Sequence, residues 1–281
     1  MNGKDNFILG WNTNNLKENS INAFHELVKL NKNADYWFGY LGYDLKNSTL
    51  PKTNSTNIDI HNFQDVNFFK ADNVIIKKNN QYLFYGSIDD FTSLNKKIAF
   101  RNNSYSFKKF HNSIELIATT SKNEYLEKIK QIKYHIQNGD TYEMNYCIQF
   151  KANNINISEL QTFERLINNT KAPFSALLSI NEVRVLSASP ERFINKCNKN
   201  IIRQPIKGTG KRGDSMELDQ QIIQDLISNE KEISENVMIV DLVRNDMSKI
   251  AEKNSVQVPE LCKLYTFETV HQLISTVEAK V

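Results

Sequence analysis

At 281 residues the chain is long enough for one large domain or two ordinary ones, and for a buried core that needs no disulfide scaffold. A composition of 40% hydrophobic and 24% charged residues is that of a soluble globular protein, and no run approaches the roughly eighteen apolar residues of a membrane span. The net charge of +3 arises from 35 basic and 32 acidic residues that are interspersed rather than blocked, which leaves no electrostatic footprint for nucleic acid.

Cys147, Cys197 and Cys262 are far apart and odd in number, so neither a disulfide framework nor a metal-ligand spacing emerges. Met1 to Asn6 lacks the apolar core of a signal peptide, and a cytoplasmic location is expected. The lysine pairs Lys96-Lys97 and Lys108-Lys109 read as solvated faces.

Residues 1–110 are rich in Asn and aromatic side chains. Short apolar runs from Asn73 to Ile76 and from Gln81 to Gly86, separated by turn residues, predict antiparallel strands. Gly39 and Gly42, inside the aromatic segment Trp37 to Leu45, point to a close backbone approach or a bulge. Ser121 with Glu124 forms a capping box, Leu126, Ile129, Ile132 and Ile136 follow at helical spacing, and Gly139 stands where a C′ glycine belongs. From Tyr142 to Phe150 large apolar residues alternate with polar ones, the period of a strand with one buried face, packed by the preceding helix.

Ala172 to Ile180 and Val183 to Ser187 predict two further strands that lead into a turn at Glu191. Ser187-Ala-Ser-Pro-Glu-Arg-Phe193 and Gln204-Pro-Ile-Lys-Gly-Thr209 then read as strand segments joined through Asn195 to Asn200. Pairing as a hairpin would set the Glu191 carboxylate and the Lys207 amine at its base, sharing one pocket. The residue types alone equally allow a solvated turn glutamate and an exposed lysine.

Asp214 or Ser215 caps a helix carrying Leu218, Ile222 and Leu226, and Asn229 stops it before a second helix from about Lys231 to Asp246. That helix is apolar through its middle, as expected of one covered on several sides. Glu232 and Glu235 share a face of its first turn, where the helix dipole favours negative charge and where two hard oxygen donors also suit magnesium. Asp241, Arg244 and Asp246 read as a buried or interfacial ion-pair network. His271 sits in a mixed apolar stretch and reads as a hydrogen-bonded structural residue. His25, His61, His111 and His135 fall in no chemical constellation.

Taken in order, Gly139-Asp-Thr-Tyr-Glu-Met-Asn145, the segments around Glu191 and Lys207, Glu235-Asn-Val-Met-Ile-Val-Asp-Leu-Val-Arg-Asn-Asp246 and Val270-His-Gln-Leu-Ile-Ser-Thr-Val277 resemble the chorismate-utilising enzymes. The resemblance is strong over residues 120–281 and loose over 35–90. It implies an α+β fold, one large chorismate-binding domain of two packed, mostly antiparallel sheets with outer helices. Residues 1–110 would be its strand-rich N-terminal part and 120–281 its catalytic core. The family's Gly-Ala-Pro-Lys turn and a further magnesium carboxylate are not found, so a C-terminally truncated version is expected.

Lysine before Gly-Thr resembles the branch that aminates chorismate to 4-amino-4-deoxychorismate, on the route to para-aminobenzoate and folate. The anthranilate-forming branch, which usually has alanine there, is the alternative; a catalytically inactive binding fragment is a second. Glu143 stands where water-adding members carry a general-base lysine. The resemblance implies Glu191 as general acid on the leaving C4 hydroxyl and Lys207, as a neutral amine, attacking C2. It further implies Gly208, Thr209 and His271 as substrate contacts, Glu235 and Glu232 as ligands of Mg2+, and a glutamine amidotransferase subunit as the ammonia-supplying partner.

Overall fold

The computed structural model describes residues 6–11, 35–48, 50, 63–101 and 114–281; Lys108-Lys109, His25, His61 and His111 lie outside them. The chain divides into two compact units, Met1–Ser104 with Phe163–Val281, and Tyr105–Thr162. Every strand pairing among the described residues is antiparallel and helices alternate with the sheets, an α+β architecture.

The first unit begins with β1 (Phe7–Trp11), β2 (Trp37–Leu41), a 3-10 turn (Tyr43–Ser48), β3 (Val66–Lys70), β4 (Asn73–Lys78), β5 (Gln81–Tyr85) and helix α1 (Ile88–Arg101). Strand β4 lies between β1 and β5, and β2 pairs with β3. The β4–β5 turn works because Asn79 and Asn80 adopt φ of 49° and 63°, a region that asparagine tolerates better than other side chains. At Gly39 a Cβ would fall 2.0 Å from the Asn67 carbonyl oxygen, which is the close approach expected of a glycine inside an aromatic strand.

The second unit holds β6 (Ile117–Ala118), α2 (Lys122–Gln137) and β7 (Phe150–Lys151); α3 (Glu159–Thr170) crosses the division. Both halves of the α2 capping box are made, with Ser121 Oγ accepting from the Glu124 N–H and Glu124 accepting from the Ser121 N–H. At its other end Gly139 N–H bonds the Ile136 carbonyl and Asp140 N–H the His135 carbonyl, the two bonds of a Schellman end. The strand expected over Tyr142 to Phe150 is corrected: only Phe150–Lys151 pairs, with Ile117–Ala118. Tyr142, Met144, Ile148 and Phe150 are exposed, and α2 buries no residue. Alternation marks a strand only where a neighbouring strand supplies a ladder and a second layer covers one face, and Ile117–Ala118 supplies two residues of ladder and no cover.

The remainder of the first unit runs β8 (Phe174–Ile180), β9 (Val183–Ser189), β10 (Arg192–Cys197), β11 (Asn200–Gln204), β12 (Ile206–Lys211), α4 (Met216–Ile227), α5 (Glu230–Ser248), β13 (Gln257–Thr266) and β14 (Val270–Lys280). Hairpin β8–β9 stands alone, while the other five strands form the largest sheet. A hairpin forms where one was expected, but its bounds are corrected: Arg192–Cys197 pairs with Asn200–Gln204, the loop is only the two residues between Cys197 and Asn200, and Lys207 lies beyond Pro205 on β12. Pro205, which has no N–H for a ladder, separates β11 from β12, and both pair with β14. Asn200 faces Lys280 and Ile206 faces Ile274 in one running register. Because β13 pairs with the same β14 residues, β14 is hydrogen-bonded along both edges.

Side chains on one face of β14 meet α4 and α5. Ser215 caps α4 and Asn229 caps α5. Ile201, Val277 and Ala279 pack against Val240, Val243 and Met247 of α5 to form the core. The expectation that α5 is covered on several sides is corrected: its buried residues, Asn236, Val240, Val243 and Met247, form a single stripe, while Leu242 is 56% exposed. The network expected of Asp241, Arg244 and Asp246 is likewise at the surface, with Arg244 on Asp241 at 2.8 Å and Asp246 within 3.5 Å of Arg203. Surface pairs of this kind carry little stability.

If one stripe carries the packing, Leu273→Ala should cost about 2–5 kcal/mol by opening a cavity, whereas Leu242→Ala should stay within about 0.5 kcal/mol. Urea unfolding of the two variants measures both, and equal losses would show that α5 is covered on its outer face.

Candidate active site

Ladder hydrogen bonding between β12 and β14 is interrupted where the register shifts between Ile206 and Thr209. The bulge turns on Gly208, which adopts φ +89°, a left-handed backbone that glycine takes without strain. A Cβ there would also stand 3.3 Å from the Glu232 Cβ and 3.2 Å from Leu273. The first turn of α5 therefore lies directly on the Lys207–Thr209 segment, and Glu232 comes beside Gly208.

Lys207 is half-buried and Thr209 exposed. Glu191 lies at the surface between β9 and β10, at the base of the hairpin. Partial burial pushes its carboxyl above the ordinary value. The Ile206 N–H and the charges of Lys207 and Arg203 pull it down without cancelling the rise. Glu191 and Lys207 are thus brought into one electrostatic neighbourhood.

The shared pocket expected of them is not one of the two main hollows. One, of about 230 Å³, is lined by Thr209, Gly210, Ile222, Asp225, Leu226, Asn229 and Glu232. The other, of about 300 Å³, is bordered by Ala188 and Pro190 next to Glu191, by Gln272, and by Asn169 to Pro173. The reason is geometric: Glu191 precedes β10, which pairs with β11, whereas Thr209 lies beyond Pro205 on β12, in line with β11 and beside α4.

Glu232 and Glu235 share the α5 face seen in the sequence. Lys231 reaches both, 3.1 Å from Glu235 and 3.8 Å from Glu232. Their side chains keep 26% and 32% exposure, and one oxygen of each already faces the Lys231 ammonium. Among the described residues no cluster of three or more His, Cys, Asp or Glu side chains forms a metal cage. The two carboxylates fit a magnesium ion as a partial donor set.

His271 is fully buried on β14, opposite Gly210. Its Nδ1 is 2.9 Å from Thr266 Oγ1 and its Nε2 2.9 Å from Asp219 Oδ1, so both ring nitrogens are occupied by protein. That is the hydrogen-bonded structural histidine of the sequence reading, and it offers a ligand no free nitrogen.

Two groups here have no counterpart in the sequence reading. Asp219 accepts from Arg212 through two nitrogens, from the Gly213 N–H at 2.7 Å and from His271, and these donors hold its carboxyl well below the usual range. Arg212 also donates to the Phe267 carbonyl, so this cluster ties β12, α4 and the β13–β14 turn together. The second is Asn236, 1% exposed, whose Nδ2 donates to the carbonyls of Lys207 and Leu273. An aspartate in a first helical turn and an asparagine within a helix are common in sequences; only their distant partners distinguish these two.

On the other face of the sheet, Arg192 bonds Gln204, Gln204 bonds Thr276, and Thr276 donates to Glu260. Glu260 also accepts from Tyr265 at 2.6 Å and from Lys263, and these donors pull its carboxyl down to about 2. A carboxyl depressed from 4.5 stabilises the fold above pH about 4.5, and that stability is lost as pH falls toward 2. Urea midpoints measured from about pH 6 down to pH 2 should therefore fall less steeply for Glu260→Gln than for the wild type; parallel curves would remove Glu260 from the acid limb.

A family model described as chorismate binding enzyme matches residues 2–281. Aminodeoxychorismate synthase component 1 of Salmonella typhimurium is 43% identical over 157 residues, which is 56% of this chain and 34% of that protein. An anthranilate synthase component 1 of Haloarcula marismortui is 34% identical over 156 residues, 56% of this chain and 31% of the relative. The chain thus spans about a third of the length of these two relatives. The crystal structure of anthranilate synthase component I from Streptococcus pneumoniae superposes with a TM-score of 0.71 at 20% identity, covering 88% of this chain and 57% of that one, a likeness of fold. No helix among the described residues is long and apolar enough to cross a membrane.

Proposed function

Because this chain belongs to the chorismate binding enzyme family, we propose that it serves the amination of chorismate to 4-amino-4-deoxychorismate, with ammonia supplied by a glutamine amidotransferase subunit. The observation that carries the reading is the Glu191–Lys207 neighbourhood, in which a carboxyl raised by burial stands within the field of a lysine at the base of a hairpin. The similarity to the component 1 protein of Salmonella typhimurium supports the choice of product.

In this reading Glu191 gives its proton to the departing C4 hydroxyl, which leaves as water while the Lys207 nitrogen bonds C2 and both ring double bonds move, from C1–C2 and C5–C6 to C6–C1 and C4–C5. Ammonia then bonds C4, both double bonds return to their first positions, and the C2–nitrogen bond breaks with its electron pair left on Lys207. A raised carboxyl suits the first step, since it retains its proton nearer neutral pH. Gly208 and Thr209 present backbone and hydroxyl to a substrate carboxylate, and His271 fixes the strand behind them through Asp219. Glu232 and Glu235 would hold magnesium, whose charge, when bound, neutralises a chorismate carboxylate. The protein is expected to act in the cytoplasm.

Incubation with chorismate, magnesium and ammonium should yield aminodeoxychorismate. Glu191→Gln should lower the rate about 10²–10⁴-fold, and Lys207→Ala at least as much. Anthranilate and pyruvate as products, with Lys207→Ala near wild-type rate, would favour the anthranilate-forming reading instead. Calorimetric binding of chorismate with magnesium but without turnover would favour a binding module.

A further inference from the structure

The Gly208 bulge is bridged from α5. Where the β12–β14 register shifts between Ile206 and Thr209, Asn236 donates to the backbone of both strands. Its Nδ2 lies 3.2 Å from the Lys207 oxygen and 3.1 Å from the Leu273 oxygen, so its two hydrogens serve β12 and β14 at once.

The amide is itself oriented. Ser275, fully buried on β14, donates to Asn236 Oδ1 at 2.5 Å, and Ser275 Oγ accepts the Cys262 N–H of β13 at 2.8 Å. With Oδ1 engaged as acceptor, Nδ2 must face the two carbonyls, and the amide cannot turn over without breaking three bonds. Asn236 follows Glu235 directly in α5, so the helix that carries the paired carboxylates is pinned to the strand that carries the lysine.

We propose that Asn236 is a positioning residue that fixes the backbone of Lys207 relative to Glu232 and Glu235. The proposal rests on the amination reading for its consequence and on geometry for its cause. The amide suits the place chemically: it offers two hydrogens to the two carbonyls and an oxygen to Ser275, whereas aspartate has no hydrogen to donate. Held by this clamp, the lysine amine reaches its target from a fixed root; released, it loses the alignment on which attack depends.

The test compares Asn236→Ala and Asn236→Asp with Val243→Ala, which loosens packing of the same helix without touching the Lys207 carbonyl. Hydrogen–deuterium exchange of the 206–210 amides, referenced to 257–261 of β13, should rise about tenfold or more in the Asn236 variants and not in Val243→Ala. Turnover of chorismate with ammonium should lose about 10–100-fold in kcat while KM for chorismate stays within about twofold. If Asn236→Asp fails to fold, Asn236→Ala carries both measurements.

Equal exchange across the three variants, or a loosened strand with unchanged kcat, would overturn the proposal. Should the wild type give no aminodeoxychorismate, the amination reading falls, and the exchange comparison still decides whether Asn236 holds the lysine strand.

Discussion

Strand β14 is the constraint from which the arrangement of the largest sheet and its two helices follows. It is hydrogen-bonded along one edge to β11 and β12 and along the other to β13, and every residue from His271 to Thr276 is buried. A strand with no free edge has all its backbone groups committed, so its side chains become fixed points for whatever packs on either face. On one face Leu273 and Val277 lie toward α4 and α5; on the other Gln272 and Thr276 meet polar partners on β11, β12 and β13. Lys207, Glu232 and Glu235 acquire their positions only because their own elements are fastened to this strand.

The carboxylates around β14 divide by what surrounds them. Asp219 and Glu260 each accept several hydrogen bonds and stand beside a cation, so their ionised forms are stabilised and their carboxyls lie low. These two act as struts, joining strand ends to helix starts and strand to strand. Glu191 has one backbone donor and two cations nearby, and burial still outweighs them, so its carboxyl rises. A protonatable group is an unhelpful strut and a useful acid. Electrostatics therefore separates the structural carboxylates from the chemical candidate more sharply than position along the chain does.

Much of the local structure was readable from the residues. The capping box at Ser121 and Glu124, the C′ glycine at 139, the cap at Ser215 and the break between two helices at Asn229 are set by contacts within a few residues. Where the reading failed, the missing ingredient was a neighbour. Tyr142 to Phe150 has the alternation of a strand but two residues of partner, and the apolar middle of α5 has a sheet on one side only. Periodicity records which side chains could share a face, and says nothing about whether that face is covered.

By itself the sequence determined several of the elements and the caps at Ser121 and Ser215, and the order of its motifs pointed to the family, because capping and turn chemistry act over a single turn or ladder rung. It also brought Glu232 and Glu235 onto one helical face, since spacing on a helix is fixed by its pitch. Only the tertiary structure decided that His271 spends both nitrogens on Thr266 and Asp219, and that Asn236 bridges the Lys207 and Leu273 carbonyls. The Asp219 and Asn236 contacts join residues 29 to 52 positions apart, and they exist because β14 is paired on both edges and packed by α4 and α5, which no local pattern encodes.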